Sequence, residues 1–484
     1  MKKNIILTNM LWRFAERTAA QFVQLTVSII LARILFPRDY GIIAIVNVFI
    51  GLLEIFIDNG LGNSLIQKKD SDDIDFSTVF YANIVLCMGL YFIIWMLSPF
   101  ISCFYNEELL TDVLRVASIL IIISSVKNIQ QAYVAKHLLF KKFFIATLGG
   151  TIAAGIVGIW MAFTGYGVWA LVAQKLINYL IDTIILWFIV KWRPIRRFSF
   201  IRLKSLYSYG WRLLVSSMLN QLMSDLRQLM IGKVYTPADL ALYNRGDQFP
   251  SVLMVNISSS VDSVLFPVFS KKQDSLGDIR NLVEKSVLLS EYLLMPILTG
   301  LIVCSKQIVG VLLTHKWDDC IPYIIILSLS YIFSPIYLSC MNVIKAIGRS
   351  DTYLKFKTIQ NIFSLVSVFA LIKIGPIAIA VSLLLTNLFG QIYGLIISSS
   401  YIQYSVLDVL RDCYKTIIIS IVMGVAVFYM GTLIENDMIA LMIQMLSGIS
   451  IYFCLSCILK SEAMRYIKNL VLGEKTNEKN NSFL

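Results

Sequence analysis

The side chains best equipped for chemistry are charged or amide-bearing residues set inside long apolar runs. Arg13, Arg17, Gln21 and Gln24 are spaced so that they share one helical face, with Glu16 beside them. A second run, about two hundred residues later, carries Arg212, Asn220, Gln221, Asp225, Arg227 and Gln228, and Trp12-Arg13 returns there as Trp211-Arg212. The planar fork of arginine suits phosphate-like oxygens through two parallel bonds, whereas glutamine and asparagine match hydroxyls. Glu54 and Asp58, four apart on one face, are carboxylates that could exchange a proton or bind sodium. Lys127, Lys175 and Asp182 are further charges inside apolar stretches, the last two read as structural partners across a bundle.

Other chemistry is missing. The chain has no G-x-x-x-x-G-K-[ST] phosphate loop, so it does not hydrolyse ATP itself. With His137 and His315 as its only histidines, it offers no zinc spacing and no Ser/His/Asp set. No cofactor is expected. The eight cysteines are scattered, and Cys454-Leu-Ser-Cys457 reads as packing within an apolar run.

Such residues need elements that hold them inside a bilayer. Of 484 residues, 57% are hydrophobic and 15% charged, and mean hydropathy is +0.75. A soluble protein could not cover that much apolar surface. Apolar stretches long enough to span fall near 10–36, 41–64, 78–103, 112–134, 143–163, 167–190, 206–234, 240–269, 286–312, 320–346, 354–373, 376–400, 414–434 and 438–459. An all-α membrane protein of about 14 transmembrane helices is therefore expected.

The net charge of +12 lies in alternate loops, above all Lys191-Trp-Arg-Pro-Ile-Arg-Arg197 with Arg202 and Lys204. That placement encodes topology rather than nucleic-acid binding, and it puts both termini in the cytoplasm. The loop at 68–75 is an exception, with four aspartates against Lys68 and Lys69. The basic linker is expected to anchor at anionic headgroups. No cleavable signal peptide is evident after Met1-Lys-Lys-Asn4.

Residues 32–49 are echoed by 232–249, pairing Arg33 with Lys233, Pro37 with Pro237 and Asp39 with Asp239. Gly167-Val-Trp-Ala170 is likewise echoed by Gly375-Pro-Ile-Ala378. Internal repeats in an apolar chain are the build of a secondary transporter, and a six-span unit gives a parallel repeat. Each Pro-x-Asp should end one span and cap the next. The expected organisation is a six-helix bundle over 1–192, a basic cytoplasmic linker over 193–205 and a second bundle over 206–403. Two extra helices over 404–460 and a cytoplasmic tail over 461–484 complete it.

Leu31-Ala-Arg-Ile-Leu-Phe-Pro-Arg-Asp-Tyr-Gly41, followed by Phe56-Ile-Asp-Asn-Gly-Leu-Gly-Asn-Ser-Leu-Ile-Gln-Lys68, resembles the polysaccharide-export flippases of the multidrug/oligosaccharidyl-lipid/polysaccharide exporter superfamily. So do Gly167-Val-Trp-Ala-Leu-Val-Ala-Gln174, Lys191-Trp-Arg-Pro194, Leu229-Met-Ile-Gly232 and Leu265-Phe-Pro-Val-Phe-Ser270. The likeness covers most of the chain, fades after residue 400 and is nearest the Wzx-type branch. It implies a V-shaped pair of bundles around a hydrophilic cavity. It also implies a cargo of oligosaccharide on undecaprenyl diphosphate, moved across the bacterial inner membrane for O-antigen, capsule or exopolysaccharide synthesis.

Given that cargo, Arg17 and Arg227 become the expected headgroup contacts. Gln21, Gln24, Asn220 and Gln221 become the sugar-facing lining, and Glu54 and Asp225 the groups that couple transport to a proton or sodium gradient. Arg13 and Arg212 have a second reading, snorkelling at the interface, and Arg227 has one as an internal partner of Asp225. A drug/cation antiporter of the same superfamily would want an anionic aromatic cavity, which the arginines of the first span oppose. A membrane-embedded polysaccharide polymerase or ligase would need a large outer loop, and here those loops are among the shortest segments. Such an enzyme enters instead as a partner from the same pathway.

Overall fold

The structure, a computed structural model, describes residues 19–57, 65, 71–137, 139–271 and 276–472. Its described residues are almost wholly helical, with no strand among them. The chain divides into two compact units, Met1–Ala241 and Leu242–Leu484.

The first unit holds α1 (Ala19–Ile34), α2 (Pro37–Ile57), α3 (Asp73–Tyr105), α4 (Leu109–Ala117), α5 (Ile119–Lys136), α6 (Phe140–Phe163), α7 (Val168–Ile189) and α8 (Phe200–Val234). Helix α9 (Pro237–Lys271) crosses the division. The second unit continues with α10 (Leu276–Val303), an irregular helical stretch over Ser305–Cys320, α11 (Ile321–Tyr331), α12 (Ser334–Ala346), α13 (Ser350–Leu371), α14 (Pro376–Ile402), α15 (Val406–Thr432), α16 (Asp437–Ile458) and α17 (Glu462–Leu472). Eleven segments among the described residues are long and apolar enough to cross a membrane. The 35-residue α8 and α9 are not among them, and of the first expected span residues 19–36 are described, with Ala19–Ile34 helical.

Helices begin where the sequence supplies caps. At the start of α9, Thr236 and Asp239 form a reciprocal box: Thr236 N donates to Asp239 Oδ2 at 3.0 Å, and Asp239 N donates to Thr236 Oγ1 at 3.2 Å. At the start of α2 only half of this exists, Phe36 N donating to Asp39 Oδ2 at 3.1 Å. Proline occupies the first helical position in both, where its missing N–H costs nothing. Within the first unit Gly41 lies against Pro237, and a Cβ at 41 would sit 1.7 Å from the Pro237 carbonyl oxygen. Only glycine fits there.

Loops and helix ends of the first unit bond to one another in two groups. In one group, Arg38 pairs with Glu107 at 2.8 Å, and Lys233 Nζ donates to the Phe104 carbonyl at 2.5 Å. In the other, the basic linker lies along the start of α3. Trp192 Nε1 donates to Asp73 Oδ1 at 3.0 Å, Ile195 N to Ser77 Oγ at 2.9 Å and Ser199 N to Thr78 Oγ1 at 3.2 Å. Arg202 pairs with both Asp72 and Asp75. The aspartates that broke the charge pattern of the 68–75 loop thus hold the linker, which leaves Lys191, Arg193, Arg196 and Arg197 exposed. Trp192 itself is buried with Phe76, Phe80 and Leu186. Cys454 and Cys457 are exposed on α16 rather than packed inside.

Candidate functional site

Three helices of the first unit turn polar faces toward one another. On α2, Asn47 and Glu54 are two turns apart and so lie on one side. Helix α5 contributes Ser124, Lys127, Asn128 and Gln131, and α7 contributes Lys175, Tyr179 and Asp182, again at one-turn spacings. Charged side chains facing lipid would be costly, so they are gathered inside the bundle. The space among them is a cavity of about 240 Å³, lined by Glu54, Ile57, Ser124, Lys127, Asn128, Gln131 and Tyr179.

The bonding runs as a chain. Lys127 Nζ is 2.6 Å from Asp182 Oδ2 and 4.3 Å from the centroid of the Tyr179 ring. The hydroxyl of Tyr179 donates to Glu54 Oε1 at 3.0 Å. Lys175 Nζ donates to Asn47 Oδ1 at 2.5 Å. Two lysines and two carboxylates thus meet in one cluster. Asp182 is 3% exposed, and its Oδ1 takes no hydrogen bond from the described residues. Helix α6 comes close at Gly150, where a Cβ would lie 3.1 Å from that of Asp182.

Glu54, a residue singled out in the sequence, is part of this cluster. Lys175 and Asp182 also belong to it, but Asp182 is partnered by Lys127. Two turns of one helix separate Lys175 from Asp182, too far for direct pairing. Tyr179, Asn47, Asn128 and Gln131 were not singled out. Their signal was the polar stripe at helical spacing on α2, α5 and α7.

The remaining candidates lie elsewhere. Gln21 and Gln24 are exposed on α1, Asn220 is exposed on α8 and Gln221 is half-buried. Gln221 Nε2 donates to Asp225 Oδ2 at 2.8 Å, and Asp225 and Arg227 are both buried. Arg13, Glu16, Arg17 and Asp58 fall outside the described residues, as does the side chain of Arg212. No group of three or more potential metal ligands occurs among the described residues.

The second unit treats its matching positions differently. Asp247 stands where the repeat places Asn47, and Tyr331 OH donates to its Oδ1 at 3.0 Å. Leu383, Asn387 and Gly390 occupy the places of Lys175, Tyr179 and Asp182. Asn387 Nδ2 donates to the Ser330 carbonyl at 3.3 Å.

Comparison with known proteins agrees with this architecture. The chain is 23% identical over 406 residues to the teichuronic acid biosynthesis protein TuaB of Bacillus subtilis (strain 168), covering 82% of this chain and 83% of that one. It is 24% identical over 422 residues to the lipopolysaccharide biosynthesis protein WzxC of Escherichia coli (strain K12), covering 83% and 84%. Among solved structures, the inward closed conformation of the lipid II flippase MurJ shares the fold with a TM-score of 0.72 at 19% identity, covering 93% of this chain and 98% of that one. Residues 30–322, more than half of the sequence, match the family described as polysaccharide biosynthesis protein, and the chain belongs to that family.

Proposed function

We propose that this protein is a flippase for surface-polysaccharide synthesis, carrying undecaprenyl-diphosphate-linked oligosaccharide across the bacterial cytoplasmic membrane by alternating access driven by an ion gradient. It acts as a transporter and not as an enzyme, with both termini in the cytoplasm and a polymerase or ligase downstream. The observation that carries this reading is the Glu54–Tyr179–Lys127–Asp182 chain inside the first bundle of a member of this family. Buried ionisable groups in a membrane bundle are expensive, and ion coupling is a use that repays keeping them. Glu54 is the coupling carboxylate, with Asp225 a second one on α8. Arg17 and Arg227 take the diphosphate, and Gln21, Gln24, Asn220 and Gln221 face the sugar. The bundles over 1–192 and 206–403 are the two moving bodies, joined by the linker at 193–205 and followed by the helix pair over 404–460.

Deletion of the gene, with analysis of lipid-linked intermediates, tests the reading. Cells lacking the protein accumulate lipid-linked oligosaccharide on the inner leaflet and lose surface polymer. Arg17→Ala reproduces that loss while the protein remains folded in the membrane. Normal polymer in the deletion strain overturns the proposal, and normal polymer from Arg17→Ala removes Arg17 from the mechanism.

A further inference from the structure

Protons and sodium ions are the two coupling species open to a carboxylate site, and the polar cluster of the first unit distinguishes between them. A hard cation needs several oxygen ligands gathered around it. Here two of the oxygens best placed to hold one, Asp182 Oδ2 and Asn47 Oδ1, each already have a lysine Nζ against them, while Asp182 Oδ1 takes no hydrogen bond among the described residues. Asp182 Oδ2 has the Lys127 ammonium at 2.6 Å, and that ammonium also rests on the face of Tyr179. Asn47 Oδ1, an amide oxygen that could complete a cation shell, has Lys175 Nζ at 2.5 Å. Glu54 Oε1 receives the Tyr179 hydroxyl at 3.0 Å.

The charged and titratable groups meeting in the cluster are Glu54 from α2, Lys127 from α5, and Lys175, Tyr179 and Asp182 from α7. From α3, Cys87 packs with Ile57 and Ile121 beside the cavity. From α6, Gly150 brings backbone alone against Asp182. A sodium ion entering this space would meet two fixed ammonium charges and no net negative charge to hold it.

We infer that Lys127 and Lys175 are the resident cations of this site, so that it excludes sodium and exchanges protons alone, with Asp182 and Glu54 as acceptors. The inference rests on reading the cluster as the coupling site. A proton taken from water by the Asp182 carboxylate cancels its attraction for Lys127 and loosens α5 from α7. Return of the proton to water on the other side lets the pair close again. The tethered ammonium thus does what a bound metal cation does in a sodium-coupled site, and it cannot be carried away.

The test is thermal unfolding of the purified full-length protein in sodium chloride against choline chloride at equal ionic strength. Wild type unfolds at the same temperature in both salts. Lys127→Gln leaves Asp182 without its ammonium and the cavity net negative, and its Tm rises by ~2 °C or more in sodium. Lys127→Gln/Asp182→Asn loses that response. Lys175→Gln, which takes the ammonium from Asn47 Oδ1, provides a second sodium-responsive variant should Lys127→Gln fail to fold.

A sodium-dependent rise in wild type overturns the inference, and so does a folded Lys127→Gln protein that ignores sodium. Sodium-responsive Lys127→Gln cells that still export polymer normally uphold the site and remove its coupling role instead. That outcome is distinct from failure of the flippase reading, which would show as normal polymer in the deletion strain.

Discussion

At Pro37 and again at Pro237 a helix opens with proline and, two residues on, an aspartate that reaches back to the chain before it. Ten residues into each helix the likeness ends. Asn47 of α2 holds a lysine, whereas Asp247 of α9 accepts a tyrosine hydroxyl. Where α7 carries Lys175, Tyr179 and Asp182, α14 carries Leu383, Asn387 and Gly390. The first unit gathers two lysines and two carboxylates around a cavity, with Asp182 buried and the other three half-buried. The second has a carboxylate, Asp247, at the place of Asn47 and no charge at the places of Lys175, Tyr179 and Asp182, and its fully buried Glu291, on α10, takes no hydrogen bond among the described residues. A repeated frame therefore does not imply repeated chemistry. The helix starts have been kept in both units, and the lysine–carboxylate cluster in one.

The largest way to break this contrast is to remove half of the buried pair. Asp182→Leu strands Lys127 inside the bundle and should destabilise the protein by about 3–5 kcal/mol, seen as loss of folded protein from the membrane. Lys127→Leu/Asp182→Leu removes both halves of the pair and should recover most of that loss. Equal loss from both would show that the pair is not what the first unit depends on.

A smaller effect is expected on the other side of the comparison. Tyr331→Phe removes a single bond to Asp247 and should cost about 1.5–3 kcal/mol by thermal unfolding, with export less affected than by Asp182→Leu. The smallest concerns the caps. Thr236→Ala should cost about 1 kcal/mol, and Phe36→Thr, which completes the half-formed box of α2, should gain a similar amount.

Much of the helical frame was legible because its signals are local. Proline and aspartate at 37/39 and 237/239 mark true helix starts. Where the spans were read too short, the missing turns are polar caps. Helix α3 begins at Asp73 rather than 78 because Asp72 and Asp75 form a capping box, and α15 begins at Val406 rather than 414 because Ser405 and Asp408 do the same. An apolar window cannot see such turns. Two expected spans are each broken into two helices, at Ser118 and at Ile332–Phe333, which hydropathy alone does not register.

The site was legible only in part. Glu54, Lys127, Lys175 and Asp182 stood out as charges in apolar runs, but their partners depend on which helices touch. Tyr179 is an ordinary aromatic in sequence, and it becomes the link of the cluster only when its ring lies under Lys127 and its hydroxyl reaches Glu54. The linker shows the same limit. Its basic residues suggested lipid headgroups, yet Arg202 is held by aspartates of the 68–75 loop, a pairing between segments 130 residues apart.

Reconstituted flipping tests the account most directly. Proteoliposomes containing wild type and a prenyl-diphosphate-linked oligosaccharide should move the lipid between leaflets when a proton gradient is imposed. Glu54→Gln and Lys127→Gln proteins, folded and inserted to the same level, should lose that acceleration. Gradient-driven flipping that is unchanged in both variants would contradict the claim that the charged interior of the first unit powers transport.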